Sequence, residues 1–475
     1  MNSLDTAEWA KLVFGNTDLG DPRRTKRLTK LAESMAKNAG ESVVKASGDP
    51  ASIEAAYRFI RNESIDPDVI AENGFNLTTD IASKCTDVLA IQDTTGISFR
   101  HSTLCNELGN ISSANTNSRS PKARSLFVHS TLMLDANNEQ VIGLAHQKYW
   151  LRKEKVPGTK CQRQSRLFKD KESYRWKESF DAVKAKIADS SNIIDVCDRE
   201  ADVYEYLAYH KEHGHRFVVR AKENRKILGS VKNINELLKK SEGECNHIVD
   251  IKQKGGRSAR LAKMKVSYQQ VEILKPDKAK AAPSLPINLI ICQEYNNKEK
   301  EPLCWLLYTS EPLNNTEDAL KVVRYYELRW RIEEFHKVWK SDGTDVEGLR
   351  VQSLNNLKRI AVIQAFIAIR LMQLQALAQN NELAKKISCT VHVQSKTWKI
   401  LWLKIEKNKK PPSQAPSLHW FYYAIAKLGG WYDSKRNGRV GVKSMWKGWL
   451  KLAEIIESIT LLESLDDLDP VNNSV

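Results

Sequence analysis

The stretch Ile193-Ile194-Asp195-Val196-Cys197-Asp198-Arg199-Glu200 indicates the fold class of this chain. Its branched apolar residues are typical of a short buried strand, and the charged residues after Cys197 end that strand. The sequence then predicts a helix over residues 201–213 and a second strand over residues 217–220. A strand, a helix and another strand in this order favour an α/β layer.

The same pattern extends towards the N-terminus. Residues 88–91 predict another short buried strand. Apolar runs at 126–134 and 141–145 flank Asp135-Ala136-Asn137-Asn138, which is typical of a hairpin turn. We therefore expect residues 81–225 to form the first part of an α/β core.

Towards the C-terminus the alternation of strands and helices breaks. Three β-like runs, at 264–267, 287–292 and 305–309, are separated by basic stretches that contain glycine or proline. They predict an antiparallel β insertion over residues 226–309. The core is expected to resume over residues 310–375, which contain two long helical patterns.

Both ends of the chain are expected to be helical domains. Within residues 1–80, the pairs Asp21-Pro22, Asp49-Pro50 and Asp66-Pro67 each place a capping residue before a proline suited to the first helical position. Residues 376–475 contain a basic, proline-containing stretch and close with an amphipathic helix.

Composition points to a polyanionic partner. The chain has 475 residues and a net charge of +16 at pH 7. Nucleic acid is favoured over a membrane because the most apolar run, 360–372, is interrupted by Gln364 and Arg370 and does not reach membrane-spanning length. Eight dispersed cysteines, without a Cys-x-x-Cys pair, predict reduced thiols in a cytoplasmic protein and argue against a zinc site.

Arginines in the N-terminal helices are candidates for binding DNA. Arg23, Arg24 and Arg27 lie at the start of a predicted helix, where cations oppose the helix dipole, so we expect an external anion as their partner. Arg58 lies in a segment that mixes aromatic and basic residues. The N-terminal domain is therefore predicted to bind DNA.

A second motif is Tyr326-Glu-Leu-Arg-Trp-Arg-Ile-Glu-Glu-Phe-His-Lys-Val-Trp-Lys340. At about 100° per residue on an α-helix, Tyr326, Arg329, Glu333 and Lys340 fall within about 60° of one another, opposite an apolar face. A solvated polar face is the ordinary interpretation of such a helix. Acids elsewhere in the chain favour a functional interpretation.

Three carboxylates stand out by position. Asp93 and Asp198 each end a predicted buried strand, and Glu333 lies on the polar face of the helix. An acid at the end of a core strand costs free energy unless a cation compensates it. The three acids form an all-oxygen set suited to Mg²⁺, and two such ions about 3.5–4 Å apart promote phosphoryl transfer.

On these residues the sequence resembles the DDE transposases with a ribonuclease H-like core, in the bacterial insertion-sequence group that has a Tyr-x₂-Arg-x₃-Glu-x₆-Lys signature. Tyr326, Arg329, Glu333 and Lys340 match that signature without a gap. The resemblance runs nearly end to end, except over residues 152–171 and the interior of the β insertion. The other matching segments are 19–25, 56–62, 89–95, 196–202, 217–220, 305–312 and 329–337.

The resemblance implies an α/β ribonuclease H-like catalytic core with an antiparallel β insertion, flanked by helical N-terminal and C-terminal domains. It implies that Asp93, Asp198 and Glu333 are the catalytic acids and hold two Mg²⁺ ions, for which Mn²⁺ substitutes. The enzyme would nick double-stranded DNA at the inverted-repeat ends of its element, form and open a hairpin, and join the 3′ ends to target DNA. It would act as a homodimer in the bacterial cytoplasm, associated with the nucleoid, with dimer contacts from the final helices.

The resemblance also implies particular DNA contacts. A flipped base would stack on Trp305, and Trp330 would share this role. Such stacking contributes about 1–3 kcal/mol per base. The residues implied to hold phosphates near the hairpin or elsewhere on the DNA backbone are Tyr326, Arg329, Lys340, Arg220 and Lys337.

Two other functions stay open on the sequence. One is a catalytically inactive DNA-binding regulator that inhibits transposition through mixed dimers, although the shortened relatives that act in this way usually lack the N-terminal domain. The other is a structure-selective nuclease on the same fold. Glu200 and Asp202 resemble metal ligands by position, but a structural or solvated role is the expected one.

Overall fold

The computed structural model describes residues 5–99, 104, 107–110, 124–152, 159, 162, 165–251, 260–277, 279–295, 302–379, 381–391, 393–407, 409–434 and 440–468. The chain divides into two compact units. The first unit combines Met1–Gly74 with Phe335–Val475, and the second is Phe75–Glu334.

A mixed sheet is the main feature of the second unit. The order across it is β2-β3-β1-β5-β6-β10-β9-β8-β7, and β4 also pairs with β3. Its strands are β1 (Val88–Phe99), β2 (Gly109–Asn110), β3 (Arg124–Asp135), β4 (Val141–Trp150), β5 (Ile193–Cys197), β6 (Arg216–Arg220), β7 (Cys245–Ile251), β8 (Arg260–Leu274), β9 (Ser284–Glu294) and β10 (Cys304–Thr309).

The centre of this sheet is parallel. β1 pairs with β5, and β5 pairs with β6, in parallel registers. Every side chain of β5 is buried, which explains why its sequence is a nearly continuous apolar run. Beside this centre, β1, β3 and β4 are antiparallel, so the predicted hairpin is confirmed.

The strands of residues 226–309 continue the same sheet. Pairing is antiparallel from β10 through β9 and β8 to β7. The three β-like runs predicted in this region all lie inside β8, β9 and β10, which confirms them as strands. Because β10 also pairs with β6, the sheet is continuous with the core, and the interpretation of this region as an insertion stays a prediction.

Helices cover the sheet and form the first unit. In the second unit, Phe180 and Tyr206 belong to hydrophobic clusters shared with the strands, and full burial of a Phe side chain stabilises the fold by about 1.5–3 kcal/mol. The α-helices among the described residues are α1 (Thr6–Phe14), α2 (Pro22–Lys37), α3 (Val43–Ser47), α4 (Pro50–Arg61), α5 (Pro67–Ala82), α6 (Arg175–Lys184), α7 (Tyr204–Glu212), α8 (Ile234–Lys240), α9 (Thr316–Leu328), α10 (Trp330–Lys337), α11 (Leu354–Gln379), α12 (Asn381–Lys386), α13 (Ser395–Ile405), α14 (Leu418–Leu428) and α15 (Val442–Leu468).

The motif at 326–340 is not one regular α-helix, so that assumption was wrong. Between α9 and α10 the hydrogen bonds tighten to an i→i+3 pattern, from Arg329 N–H to the Tyr326 carbonyl and from Ile332 N–H to the Arg329 carbonyl, both at 3.2 Å. Residues 338–342 then form a π-helix. Each change of pitch redirects the side chains that follow, and Lys340 lies within the π-helix.

The N-terminal helices of the first unit begin where the sequence predicts. The carboxylates of Asp21, Asp49 and Asp66 each accept a backbone N–H two or three residues further on, at 2.8, 3.0 and 2.9 Å. These bonds satisfy amide groups that the first helical turn leaves unpaired. The three predicted helix starts are therefore confirmed.

Helix α11 is the central packing helix of the first unit. Its Arg359, 1% exposed, donates to the carbonyls of Ile60 and Ile65 and so binds α11 to the end of α4. By length and composition this helix could cross a membrane, and 72% of its most apolar window is buried inside the protein. Gln364 and Arg370 interrupt its apolar run, as the sequence shows, but leave the mean hydropathy of the window at 1.7.

The C-terminal helices pack around an aromatic cluster. Trp398 of α13, Phe421 of α14 and Leu452 of α15 are all buried in it. The basic, proline-containing stretch lies between α13 and α14, as predicted. Gly429 and Gly430 end α14, and Gly430 adopts a φ of 92°.

Candidate active site

Asp93 and Asp198 lie at the same level on neighbouring strands. The parallel pairs of β1 and β5 end with Ile91 opposite Val196, and each aspartate comes two residues later. Neighbouring strands are about 4.8 Å apart, so the register directs both carboxylates to the same edge of the paired segment. Asp198 follows β5, as predicted, and accepts the backbone N–H of Glu200 at 2.8 Å.

Asp93 itself does not end a strand, so that prediction was wrong. Only the parallel pairing with β5 stops before it. The antiparallel pairing with β3 continues through Asp93 opposite Ser130 and holds β1 together as far as Phe99. The backbone of Asp93 is therefore fixed by a regular ladder on the β3 side.

Glu333 reaches the same site from α10. The charges of Asp198 and Glu333 both act on the Asp93 carboxyl, so three acids from three separate elements lie within electrostatic range. Burial is the largest influence on Asp93 and raises its pKa to about 7. The charge of Arg329 opposes this rise in the pKa, whereas Asp198 and Glu333 add to it.

Arg329 is the cation that lies among these acids. Its Nη2 donates to Oε1 of Glu333 at 2.7 Å, and the two side chains are 13% and 24% exposed. Burial lowers the pKa of the Arg329 guanidinium, but the charges of Tyr326, Asp93 and Glu333 outweigh that effect, and the net change in the pKa is upward. The Arg329 Nε is buried and has no hydrogen-bond partner among the residues that the structure describes.

The acids fit a divalent metal by their chemistry. Three carboxylates supply the oxygen ligands that Mg²⁺ prefers, and burial together with the charges of Asp198 and Glu333 disfavours the ionised Asp93 in the absence of a further cation. Over the described part of the chain, however, no group of three or more His, Cys, Asp or Glu side chains is arranged so that it could hold a metal ion. The Arg329 guanidinium already occupies one oxygen of Glu333.

The two neighbouring acids, Glu200 and Asp202, bind protein groups. Asp202 is 7% exposed and accepts two backbone N–H groups after β6 together with the Arg225 guanidinium. Glu200 accepts a hydrogen bond from Arg175 Nη2 at 2.8 Å. Both acids therefore have the structural role that was expected of them.

Tyr326 and Trp305 pack against each other. Their rings meet edge to face with centroids 5.2 Å apart, and the residues are 5% and 9% exposed. A flipped base could stack on Trp305 only after these rings separate. Arg220 Nη2 donates to the Cys304 carbonyl at 3.0 Å, beside Trp305 in the chain. The DNA contacts of these residues stay predictions.

Three further candidates lie in and after α10. Trp330 is half-buried, whereas Lys337 is exposed at the end of the helix. Lys340 Nζ binds Glu347 at 3.1 Å. Because Lys340 lies in the π-helix, its direction cannot be derived from the periodicity of an α-helix.

Two of the four N-terminal arginines form exposed ion pairs. Arg23 is 91% exposed and pairs with Asp21 at 2.9 Å. Arg58 is exposed and pairs with the glutamate four residues before it at 3.2 Å. Exposed pairs of this kind are worth little in water, so Arg23 and Arg58 can exchange these partners for phosphates. Arg24 Nη1 donates to a backbone carbonyl at 3.0 Å, and Arg27 is half-buried.

Sequence reasoning missed a buried polar network on the other face of β1. Gln92 donates to Asp195 at 2.6 Å and bonds to His129 at 2.9 Å. Thr94 bonds to His129 at 2.8 Å and accepts from Arg175 at 2.9 Å. The sequence contains one indication of this network: polar residues flank Asp93 where a buried strand is expected to be apolar.

Comparison with models of protein families gives two matches. Residues 6–65 match a transposase DNA-binding domain, and residues 180–370 match a transposase DDE domain. The second match includes Asp198 and Glu333 but begins after Asp93. A DDE domain implies a ribonuclease H-like fold and generally the use of divalent metals, and the mixed sheet with its helices is consistent with that fold. Together the matches support a DNA transposase of the DDE family with DNA as its partner.

Proposed function

We propose that this protein is a cut-and-paste DNA transposase. It binds the inverted-repeat ends of its element, nicks one strand, forms and opens a hairpin, and joins the 3′ ends to target DNA. The observation that carries the proposal is that the charges of Asp198 and Glu333, which come from two other elements, both act on the Asp93 carboxyl. The family matches at both the N-terminal helices and the DDE domain support it.

The signature Tyr326, Arg329, Glu333 and Lys340 narrows the proposal to a bacterial insertion-sequence group. Within that group the chain resembles the transposase of the composite kanamycin-resistance transposon. The order of matching segments along the chain supports this placement more than any single segment does.

The three acids Asp93, Asp198 and Glu333 would hold two Mg²⁺ ions. When bound, the ions supply Lewis-acid stabilisation of the attacking and leaving oxygens. A carboxylate must lose its proton to act as a ligand, so with a pKa of about 7 in the metal-free protein Asp93 binds a cation more weakly as the pH falls below neutral. Regular pairing with β3 holds its backbone during this change.

Arg329 is proposed to bind a phosphate near the hairpin. One side of its guanidinium holds Glu333, and its buried Nε is a donor without a partner among the described residues. A phosphate oxygen supplies the acceptor that this donor lacks. Tyr326 and Lys340 are proposed to bind phosphates of the same DNA segment.

The protein is proposed to act as a homodimer. Each subunit would cut the DNA end that its partner mainly binds, and the C-terminal helices would form the dimer contact. In the same complex Arg23, Arg24, Arg27 and Arg58 would bind the phosphates of the end, which makes binding sensitive to salt.

Incubation of the full-length protein with Mg²⁺ and a labelled DNA end tests the function. The end is taken from the inverted repeats that flank the coding region. We expect nicks, then hairpins, then joined products, all of them absent with Asp93→Ala while end binding persists. Asp189→Ala, which removes an exposed acid from the same unit, is the matched control and should cut normally.

The wild-type protein could instead bind DNA ends tightly but cut none of them with Mg²⁺ or Mn²⁺. That result would overturn the proposal of an active transposase and favour the inhibitory regulator. Cutting without joining would favour the structure-selective nuclease.

A further inference from the structure

A buried arginine lies between the segments that hold Asp93 and Asp198. Arg175 is the first residue of α6 and is 7% exposed. Its Nε donates to the Thr94 hydroxyl at 2.9 Å, and its Nη2 donates to Glu200 Oε2 at 2.8 Å. The third arm, Nη1, donates to a backbone carbonyl of the preceding turn at 3.0 Å.

Both side chains that Arg175 holds belong to residues whose backbone supports an acid. The backbone N–H of Thr94 acts on the neighbouring Asp93 carboxyl and opposes the rise in its pKa. The N–H of Glu200 donates to Asp198 Oδ1 at 2.8 Å. One guanidinium therefore fixes the two amides that orient the two aspartates.

The Thr94 hydroxyl also begins a hydrogen-bond chain with a fixed direction. Gln92 Nε2 donates to the fully buried Asp195 at 2.6 Å, so the other end of the amide, Oε1, accepts from His129 Nε2–H at 2.9 Å. With its proton on Nε2, His129 accepts at Nδ1 from the Thr94 hydroxyl at 2.8 Å. The same hydroxyl accepts from Arg175 Nε at 2.9 Å, because arginine only donates.

This chain joins the three strands around the acids. His129 lies in β3, Gln92 and Thr94 lie in β1, and Asp195 lies in β5. It begins at a buried cation and ends at a buried carboxylate, so every member has a partner and one orientation. Polar networks that are fully satisfied in this way give a core one defined arrangement.

We infer that Arg175 is a positioning residue for the acidic site, orienting the carboxylates of Asp93 and Asp198 through Thr94 and Glu200. The inference rests on the proposed function. It assigns Arg175 no contact with DNA or metal; the residue acts only through Thr94 and Glu200. Groups that orient metal ligands in this indirect way typically change metal affinity by about 10–100-fold when removed.

Binding of Mn²⁺ to the full-length protein without DNA, measured by electron paramagnetic resonance, tests the inference independently of catalysis. We expect Mn²⁺ binding in the wild type that Asp93→Ala abolishes and that Arg175→Ala weakens by about 10-fold or more. Arg175→Lys should restore part of the affinity, because an ammonium can reach one of the two acceptors but cannot bridge them.

Arg216→Ala is the matched control. Arg216 lies in the same unit and makes two ion pairs at 2.6 Å, to Asp87 and Glu311, away from the Thr94 and Glu200 amides. It should lower the unfolding temperature and leave Mn²⁺ affinity unchanged. Equal affinities for Arg175→Ala and Arg216→Ala would overturn the inference.

A second measurement distinguishes a positioning role of Arg175 from a general contribution to stability. In ¹⁵N spectra His129 should show the Nε2–H tautomer in both proteins, and its Nδ1 resonance should shift in Arg175→Ala, because the Thr94 hydroxyl that donates to Nδ1 has then lost the guanidinium that orients it. If Arg175→Ala does not fold, Glu200→Ala and Thr94→Val each remove one acceptor of the Arg175 guanidinium, and each should still weaken Mn²⁺ binding. Unchanged binding in both would overturn the inference.

The Mn²⁺ measurements distinguish failure of the proposed function from failure of the inference about Arg175. Absence of Mn²⁺ binding dependent on Asp93 in the wild type contradicts the proposed function and the inference together. Wild-type binding that is insensitive to Arg175 contradicts the inference alone.

Discussion

The protonation state of Asp93 that favours folding differs from the carboxylate state that the proposed function needs. Its folded-state pKa of about 7 exceeds the ordinary 3.8, so the protonated form favours the folded state. The stability gained in this way is fully present below about pH 4 and is lost as the pH rises to about 7. Above that pH the folded protein contains a charge that burial and two neighbouring acids disfavour.

Asp93→Asn should therefore stabilise the metal-free protein at pH 8 but not at pH 4. The amide keeps the shape of the side chain and removes the charge, and about 1.4 kcal/mol per pKa unit sets an upper limit of about 4 kcal/mol for the gain. Thermal unfolding between pH 4 and 8 measures it. Asp189→Asn, at an exposed position, is the control and should show no such gain. A variant no more stable than wild type at pH 8 would show that Asp93 is not strained by its surroundings.

Arg329 should contribute one phosphate contact to the late DNA complex. Arg329→Ala is expected to weaken binding to hairpin DNA and to lower the slope of log affinity against log salt by about 0.9. Arg331→Ala is the matched control, because Arg331 lies two residues later and pairs with Glu334 at 2.9 Å on the same helix. If wild type and Arg329→Ala have equal slopes of log affinity against log salt, the guanidinium binds Glu333 and no phosphate.

For single residues, the sequence pointed to three candidate acids but not to the side chains that contact their supporting residues. Asp93 and Asp198 were visible because each acid follows an apolar run, a local signal. Arg175 was not, because its acceptors Thr94 and Glu200 are 81 and 25 positions away in the chain. Only the register of β1 against β5 brings those acceptors together.

At the scale of elements, strands were easier to predict than helix continuity. Buried strands such as β5 are apolar over their whole length, so composition alone marks them. The motif at 326–340 keeps a helical period, yet the helix tightens at Arg329 and widens at 338–342. Such changes depend on packing, which one segment of sequence does not contain.

The crossing of α14 and α15 depends on two glycines. A Cβ on Gly448 would lie 1.8 Å from the Ile425 carbonyl oxygen, and one on Gly429 would lie 1.8 Å from the Ser444 carbonyl oxygen. Both neighbours are backbone atoms, which cannot move aside as a flexible side chain can. The two helices therefore approach at backbone contact.

Gly448→Ala should destabilise the first unit even though alanine favours helix formation. The gain in helix propensity is about 1 kcal/mol, whereas overpacking of a fixed contact costs about 1–3 kcal/mol or more. Chemical unfolding followed by tryptophan fluorescence measures the difference. Lys447→Ala, at the adjacent exposed position, is the control and should change stability little. Equal stability of Gly448→Ala and wild type would show that the helices separate easily.

For the whole molecule, charge was the most reliable guide from the sequence. A net charge of +16 indicates a polyanionic partner, and the transposase DNA-binding match supports that prediction. Charge does not identify which surface meets the DNA or how many subunits take part. Those properties depend on where exposed side chains lie in the folded units.

The end of α15 is where a second subunit is expected to bind. From residue 460 to 464 every side chain is exposed, and Leu461 and Leu462 are 62% and 61% exposed. A helix end that buries little surface is marginally stable by itself. An apolar surface of a second subunit would cover both leucines and explain their exposure in the single chain. Replacing both leucines by glutamate should prevent the complex of two proteins with two DNA ends while single-end binding persists, as sedimentation velocity would show. Leu403→Glu, at a position 39% exposed on α13, is the control, and a paired complex that survives the double replacement would exclude this surface as the dimer contact.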